Sequence, residues 1–194
     1  MSPIDEKLAG IASSGQTPRL LLHCCCAPCA SYVLEYLSPY FRITLLFYNP
    51  NIRPREEYDK RAMELQRLLS LAVYPNTIDA EFCEYDADVF DAVARPFLAE
   101  PEGGLRCRAC FEMRLGKTAE RARISGYDYF TTTLSVSPHK DVKLLDETGR
   151  RFADEYGVKY LQSDFKKRGG YKRSVDLSKQ YGLYRQSYCG CKIM

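Results

Sequence analysis

Apolar positions along the chain fall into short continuous runs separated by stripes at helical spacing. Arg19 to Cys25 and Ile43 to Tyr48 are brief apolar runs without strict alternation, each bounded by Pro-containing stretches, as expected of strands buried on both faces of a parallel sheet. Further strands are expected at Thr77 to Tyr85, Tyr129 to Leu134 and Val158 to Gln162. Between them, Tyr58, Ala62, Leu65 and Leu69 share one helix face. Phe90, Val93 and Phe97 repeat the pattern after Asp86, an expected N-cap, and Phe111, Leu115, Thr118 and Ala122 do so after Cys107 and Cys110. Ser137 and Pro138 read as the N-cap and first position of another helix, through Val142, Leu145, Gly149 and Phe152.

Strand and helix alternate throughout, which predicts a doubly wound α/β fold with a mostly parallel sheet flanked by helices. Ligands of such folds bind outside the carboxyl ends of the strands. Here those ends read Cys24-Cys25-Cys26-Ala27-Pro28-Cys29, Tyr48-Asn49-Pro50-Asn51, Thr132-Thr133-Leu134-Ser135 and Asp164-Phe165-Lys166. Short loop-like breaks at Pro101 to Gly104 and Lys166 to Lys172, with no internal repeat, give one domain over residues 1–194. Residues 1–18 are expected to be a flexible or peripheral N-terminal segment.

At 194 residues, 45% hydrophobic and 27% charged, the composition is that of a globular domain. A net charge of +3 is too slight to demand a polyanionic partner but leaves room for a local basic patch. No basic-then-apolar leader opens the chain, and no run approaches the roughly 18 apolar residues that span a bilayer. A soluble, cytoplasmic protein with no membrane partner is expected.

Nine cysteines are well short of the roughly 8–10% that marks a disulfide scaffold, and an odd number excludes full pairing. In a reducing compartment, clustered cysteines serve metal binding or redox chemistry. Cys25, Cys26 and Cys29 after the first strand, the Cys107/Cys110 pair and the terminal Cys189-Gly190-Cys191 supply more soft thiolates than one zinc needs. For Cys24 and Cys83, simple burial is the better account. Cys25 and Cys26 are adjacent and can serve one site only if the backbone leaves strand geometry there, which Pro28 favours. Two rival readings stand. A strand, Cys26-x-Pro28-Cys29 and a helix starting near Ser31 form a thioredoxin-like dithiol arrangement. A closed tetrahedral site would instead make a zinc-stabilised binding module.

Taken together, His23-x-Cys25-Cys26-Ala27-Pro28-Cys29, Tyr48-Asn49-Pro50-Asn51-Ile52-x-Pro54-x-x-Glu57-Tyr58, Cys107-x-x-Cys110, Thr132-Thr133-Leu134-x-x-Ser137-Pro138-x-Lys140 and Tyr184-Arg185-Gln186-x-Tyr188-Cys189-Gly190-Cys191 resemble the QueH-type epoxyqueuosine reductases, from about Leu20 to the C-terminus. The resemblance implies a PP-loop/HUP-like fold with a metal site at the strands' carboxyl ends. It implies cobalamin-independent reduction of epoxyqueuosine to queuosine at the tRNA wobble position, the last step of queuosine synthesis. Its cofactors would be a 4Fe-4S cluster and an additional iron or zinc ion, served by an external low-potential electron donor. Cys-Cys-Ala-Pro-Cys stands where a PP-loop would place its Ser-Gly-Gly phosphate cradle, so ATP use is not expected.

On that basis the expected division gives the cluster to Cys25, Cys26, Cys107 and Cys110, and the second metal to Cys29, Cys189 and Cys191. The resemblance also implies variation at the position of Cys29, where some family members carry a carboxylate. Asp164 and Tyr188 are candidate proton donors, with hydrogen-bonded structural roles as the alternative. For the tRNA, Lys166, Lys167, Arg168, Tyr171, Lys172 and Arg173 offer cations to phosphates and an aromatic ring to unpaired bases, against the alternative of a solvated loop. Arg53, Arg55 and Arg106 could extend that patch, and Tyr184 or Tyr188 could add stacking. His23 is expected to be packed and hydrogen-bonded, His139 exposed, and Asn49 and Asn51 either pocket-lining or turn-fixing.

Overall fold

The computed structural model describes residues 3–191. Its strands are β1 (Arg19–His23), β2 (Arg42–Phe47), β3 (Ile78–Phe82), β4 (Tyr129–Thr132) and β5 (Lys159–Tyr160). They form one all-parallel sheet in the order β3-β2-β1-β4-β5. Each overlaps its expected segment, and β1 and β4 stop two residues short because the residues beyond them leave the sheet to build the rim. Helices α1 (Pro3–Ser14), α2 (Ala27–Leu37), α3 (Arg55–Leu71), α4 (Ala87–Ala94), α5 (Leu105–Ile124), α6 (Val142–Tyr156) and α7 (Gly170–Gln180) complete the described fold.

The continuous apolar run of β1 is explained by burial on both faces. Leu20 and Leu22 pack with Val33 and Leu34 of α2, Leu65 and Leu68 of α3, and Leu8 and Ile11 of α1. Leu21 points the other way, into Phe111 and Leu115 of α5 and Leu145 of α6. Removing each such side chain from water contributes about 1.5–3 kcal/mol. The chain lays β2 and β3 on one side of β1, then crosses to lay β4 and β5 on the other. Strand order therefore reverses between β1 and β4, and the crevice above their carboxyl ends is the topological place for a ligand. Among the described residues, no helix is long and apolar enough to cross a membrane.

Helix starts differ from expectation in ways that shape the crevice. After β4 the chain makes a 3-10 turn, Thr133–Val136, opened by the Thr132 hydroxyl accepting from the Leu134 amide at 3.2 Å. Ser137 closes this turn instead of opening a helix, and α6 waits for Asp141, whose carboxylate accepts from the Lys143 amide at 2.9 Å and the Leu144 amide at 3.3 Å. A carboxylate at the N-cap is the stronger start signal because it answers the helix dipole as well as the free amides. Cys107 and Cys110 lie within the first turns of α5, not ahead of it. Helix α2 begins at Ala27, ahead of Ser31, and α7 already includes Tyr171 and Lys172.

A cysteine-lined candidate active site

Cys24 still follows β1, donating its amide to the Leu46 carbonyl at 2.9 Å, and its side chain is buried in the core. The chain then turns. Cys26, extended at φ −170° and ψ 158°, caps α2, and Pro28 occupies the first turn. This break in strand geometry lets the neighbours Cys25 and Cys26 face the same way. The Sγ atoms of Cys25, Cys26 and Cys29 all lie within 4.8 Å of one another, with Cys25 and Cys26 at 3.6 Å.

The chain's tail reaches the same place through α3. Arg61 and Glu57, both buried, pair at 2.7 Å, and Arg61 also donates to the Cys189 carbonyl at 3.2 Å. The Tyr184 hydroxyl donates to Glu57 at 3.1 Å, and the Arg53 amide to the Gly190 carbonyl at 2.9 Å. Thus anchored, Cys189 places its Sγ 3.4 Å from the Lys140 ammonium, which also pairs with Glu102 at 3.0 Å. Cys110 and Cys191 share an apolar cluster with Phe90 and Ala94, against which Cys189 packs. Cys107, in the first turn of α5, is buried and accepts from the Gly103 amide at 3.2 Å.

A cavity of about 550 Å³ lies above the β1–β4 crevice, lined by Cys25, Cys26, Cys29 and Cys189 together with Arg114 and Lys140. Asn51 Oδ1 and Gln186 Oε1, both on residues of its lining, are buried acceptors with no protein partner among the described residues. All nine cysteines are free. Three converging sulfurs form a soft donor set, and such thiolates suit iron–sulfur clusters and zinc. The convergent trio combines Cys25 and Cys26 with Cys29, residues that the expected division assigns to two different groups. Cys83 stands apart, in a smaller cavity with Lys117 and Arg121.

Neighbouring thiols and cations set the charge of this site. Hydrogen bonds from Cys26 and then Cys29 hold the Cys25 thiol well below its ordinary range, and the Arg114 and His23 side chains act in the same direction. Its partners move the other way. Cys26 is pushed up to about 12 by its bond to Cys25, and Cys29 is raised for the same reason. In the tail, the hydrogen bond from Cys191 brings Cys189 down to about 5 against its burial, with Lys140 and Arg114 assisting. Burial disfavours the Lys140 ammonium, but Cys189 and Glu102 more than offset it and raise its pKa. Burial and then the Arg114 charge lower His23 to about 3, so its ring is neutral. Its Nδ1 lies 2.8 Å from the Thr132 hydroxyl.

The remaining sequence candidates are distributed around this centre. Tyr188 is 42% exposed, lines the cavity and carries the Arg61 guanidinium 5.5 Å from its ring centre. Asp164 lines a second cavity, of about 540 Å³, with Tyr32, Tyr36, Lys167 and Arg168. In the basic stretch, Lys166 and Lys167 pair with Asp164 at 3.0 and 3.5 Å, Arg168 with Asp5 and Arg173 with Glu35, each at 2.6 Å. Tyr171 faces the cysteine cavity with Arg185 at 5.3 Å from its ring, while Lys172 is exposed. Arg53 and Arg55 pair with Asp91 and Asp59, and Arg106 donates to the Leu98 carbonyl. His23 is packed as expected, and His139 is exposed at the cavity. The buried guanidinium of Arg114 carries no sequence-level expectation, although its spacing of seven and four residues from Cys107 and Cys110 puts all three on one side of a helix.

The family profile described as Epoxyqueuosine reductase QueH matches residues 20–193. Among curated proteins, an epoxyqueuosine reductase QueH of Streptococcus pyogenes serotype M1 is 45% identical over 176 residues, covering 90% of this chain and 69% of its own. One of Staphylococcus epidermidis is 44% identical over 181 residues, covering 91% and 76% respectively. One of Thermotoga maritima is 34% identical over 178 residues, covering 89% and 88%.

Proposed function

Because the chain belongs to the epoxyqueuosine reductase QueH family, we propose that it reduces epoxyqueuosine to queuosine at the wobble position of tRNA, in the cysteine-lined cavity. The observation that carries this reading is the convergence of Cys25, Cys26 and Cys29, with Cys189 lining the same cavity. In this reading Cys25, Cys26, Cys107 and Cys110 would hold a 4Fe-4S cluster, and Cys29, Cys189 and Cys191 an additional iron or zinc ion. Bound there, these groups would supply single electrons and a Lewis acid for the epoxide oxygen.

The net change takes two electrons, from an external low-potential donor, and two protons, and gives an alkene and water. The chain's own residues prepare that exchange. The hydrogen bonds and cations around them favour the thiolate forms of Cys25 and Cys189. The buried acceptors Asn51 Oδ1 and Gln186 Oε1 can take N–H donors of a modified nucleobase. Tyr188 and the Tyr171–Arg185 pair present stacking surfaces at the cavity, where neighbouring unpaired bases of an anticodon loop could lie. Lys166, Lys167, Arg168 and Arg173 would meet phosphates by exchanging their carboxylate partners for them, and the exposed Lys172 would meet them directly. Tyr188, which lines this cavity, remains the proposed proton donor, whereas Asp164, the other candidate, lines the second cavity and is paired there with Lys166 and Lys167. The dithiol reading needs Cys26 as its activated thiol, whereas Cys25 is the depressed one.

The test is anaerobic incubation of iron- and sulfide-reconstituted protein with epoxyqueuosine-containing tRNA and a low-potential reductant, followed by nucleoside mass analysis. Loss of one oxygen from the modified nucleoside is expected. An unchanged nucleoside, with iron and sulfide demonstrably bound, would overturn the proposal.

A further inference from the structure

Arg114 is only 2% exposed and ranks among the largest fully buried side chains of the protein. An arginine cannot shed its proton, so a guanidinium out of water must be matched by hydrogen bonds and by negative charge. None of its hydrogen bonds goes to a carboxylate: Nε donates to His23 Nε2 at 3.2 Å, Nη2 to Asn49 Oδ1 at 2.8 Å and Nη1 to Cys110 Sγ at 3.6 Å. Asn49 is locked in that orientation because its Nδ2 donates to the Cys24 carbonyl at 2.8 Å. Among the described residues, no ion pair includes Arg114. The anionic groups acting on it are thiols, those of Cys110, Cys25 and Cys189. They come from the middle, beginning and tail of the chain.

We propose that Arg114 is the fixed counter-charge of the sulfur site, a positioning residue that makes a redox group held there easier to reduce. This rests on the functional reading above and adds a role for a residue outside the sulfur set. Adding an electron makes the site more negative, and a buried positive charge with no carboxylate to cancel it favours that more negative state. An opposite charge within about 4–6 Å typically shifts a charge equilibrium ten- to a thousandfold. With Asn49 and His23 as its oxygen and nitrogen partners and no carboxylate among them, the charge of Arg114 is left to the sulfur site.

The experiment is a reductive titration of the iron- and sulfide-reconstituted protein without tRNA, followed by its visible absorption, for wild type, Arg114→Met, Arg114→Lys and Asn49→Asp, with bound iron measured in each. Arg114→Met is expected to lower the reduced-to-oxidised ratio at a fixed poise at least tenfold, 59 mV for a one-electron couple. Arg114→Lys should restore most of the difference. Asn49→Asp keeps the arginine but gives it a carboxylate, and should lower the ratio in the same direction. It therefore decides the matter even if Arg114→Met does not fold. Iron-loaded Asn49→Asp with the wild-type potential would overturn the inference. Wild-type protein that takes up no iron would overturn the functional reading and this inference together, an outcome distinguishable by metal analysis.

Discussion

Gly190 holds φ at 100°, a region that L side chains rarely adopt, and a Cβ there would meet Arg61 Nη2 at 3.2 Å and Ile52 Cγ1 at 3.4 Å. Its position between Cys189 and Cys191 makes this one glycine the pivot that turns both sulfurs toward the site. Gly190→Ala is expected to cost about 1–3 kcal/mol of local strain, spent where the tail is docked. The variant should keep wild-type circular dichroism, bind less iron on reconstitution and expose Cys189 and Cys191 to faster alkylation in the metal-free state. Wild-type iron content with wild-type alkylation rates would refute the pivot. At this scale the sulfurs were legible, because cysteine carries its chemistry in its identity. Arg114 was not, because an arginine becomes informative only when the fold withdraws it from water. Glu57 and Arg61 were hidden likewise, since an i,i+4 pair reads from sequence as surface decoration.

Elements were legible where burial alone decides them. Runs such as Leu20-Leu21-Leu22 can satisfy both faces only in the middle of a sheet, and all five strands were found at their expected places. After β4, by contrast, a Ser-Pro start signal is outweighed by a threonine hydroxyl upstream and an aspartate downstream. The α6–β5 contact shows how closely elements fit: a Cβ on Gly149 would run into the Tyr160 ring. Burial first, and Asp146 beside it, raise the Tyr160 pKa above its ordinary value near 10. The folded state then keeps a proton that the unfolded chain releases. This stability is fully present below about pH 10 and is lost as pH rises toward the folded value, by at most about 1.4 kcal/mol per pH unit. Tyr160→Phe retains the ring over Gly149 and removes the titration, so its urea midpoint should fall less steeply than wild type above about pH 10. Tyr36 and Tyr58, each raised to about 12 chiefly by burial, keep the decline from vanishing. Superimposable midpoint profiles for the two proteins would show that Tyr160 titrates as it does in the unfolded chain.

Across the whole molecule, the tail joins the site by returning over α3 to the carboxyl end of β1. The return is fastened polar group by polar group: Arg67 donates to the Tyr181 and Gly182 carbonyls, Glu64 accepts from the Tyr184 amide at 2.6 Å, and Glu57 and Arg61 hold Tyr184, Tyr188 and Cys189. Few apolar contacts accompany these bonds, with Leu183 the tail's chief contribution to the main core. Segments held this way open more readily than the core, so the tail belongs to the low-stability end of the molecule. A metal group that bridges Cys189 or Cys191 to the sulfurs of α2 or α5 would bind the closed form alone and stabilise it by mass action, about 2.7 kcal/mol at a hundredfold excess over its dissociation constant. Hydrogen exchange at residues 184–191 should therefore slow at least tenfold on anaerobic iron and sulfide loading and recover on chelation, while β1 and β2 amides hardly change. Arg61→Met leaves the Glu57 carboxylate buried without its cation, a loss of about 3–5 kcal/mol, and should keep the tail exchanging fast in the presence of iron and sulfide. Equal exchange at 184–191 in loaded and stripped wild type would mean that the tail sulfurs take no part in holding the metal, which would leave Cys25, Cys26, Cys29, Cys107 and Cys110 as its ligands.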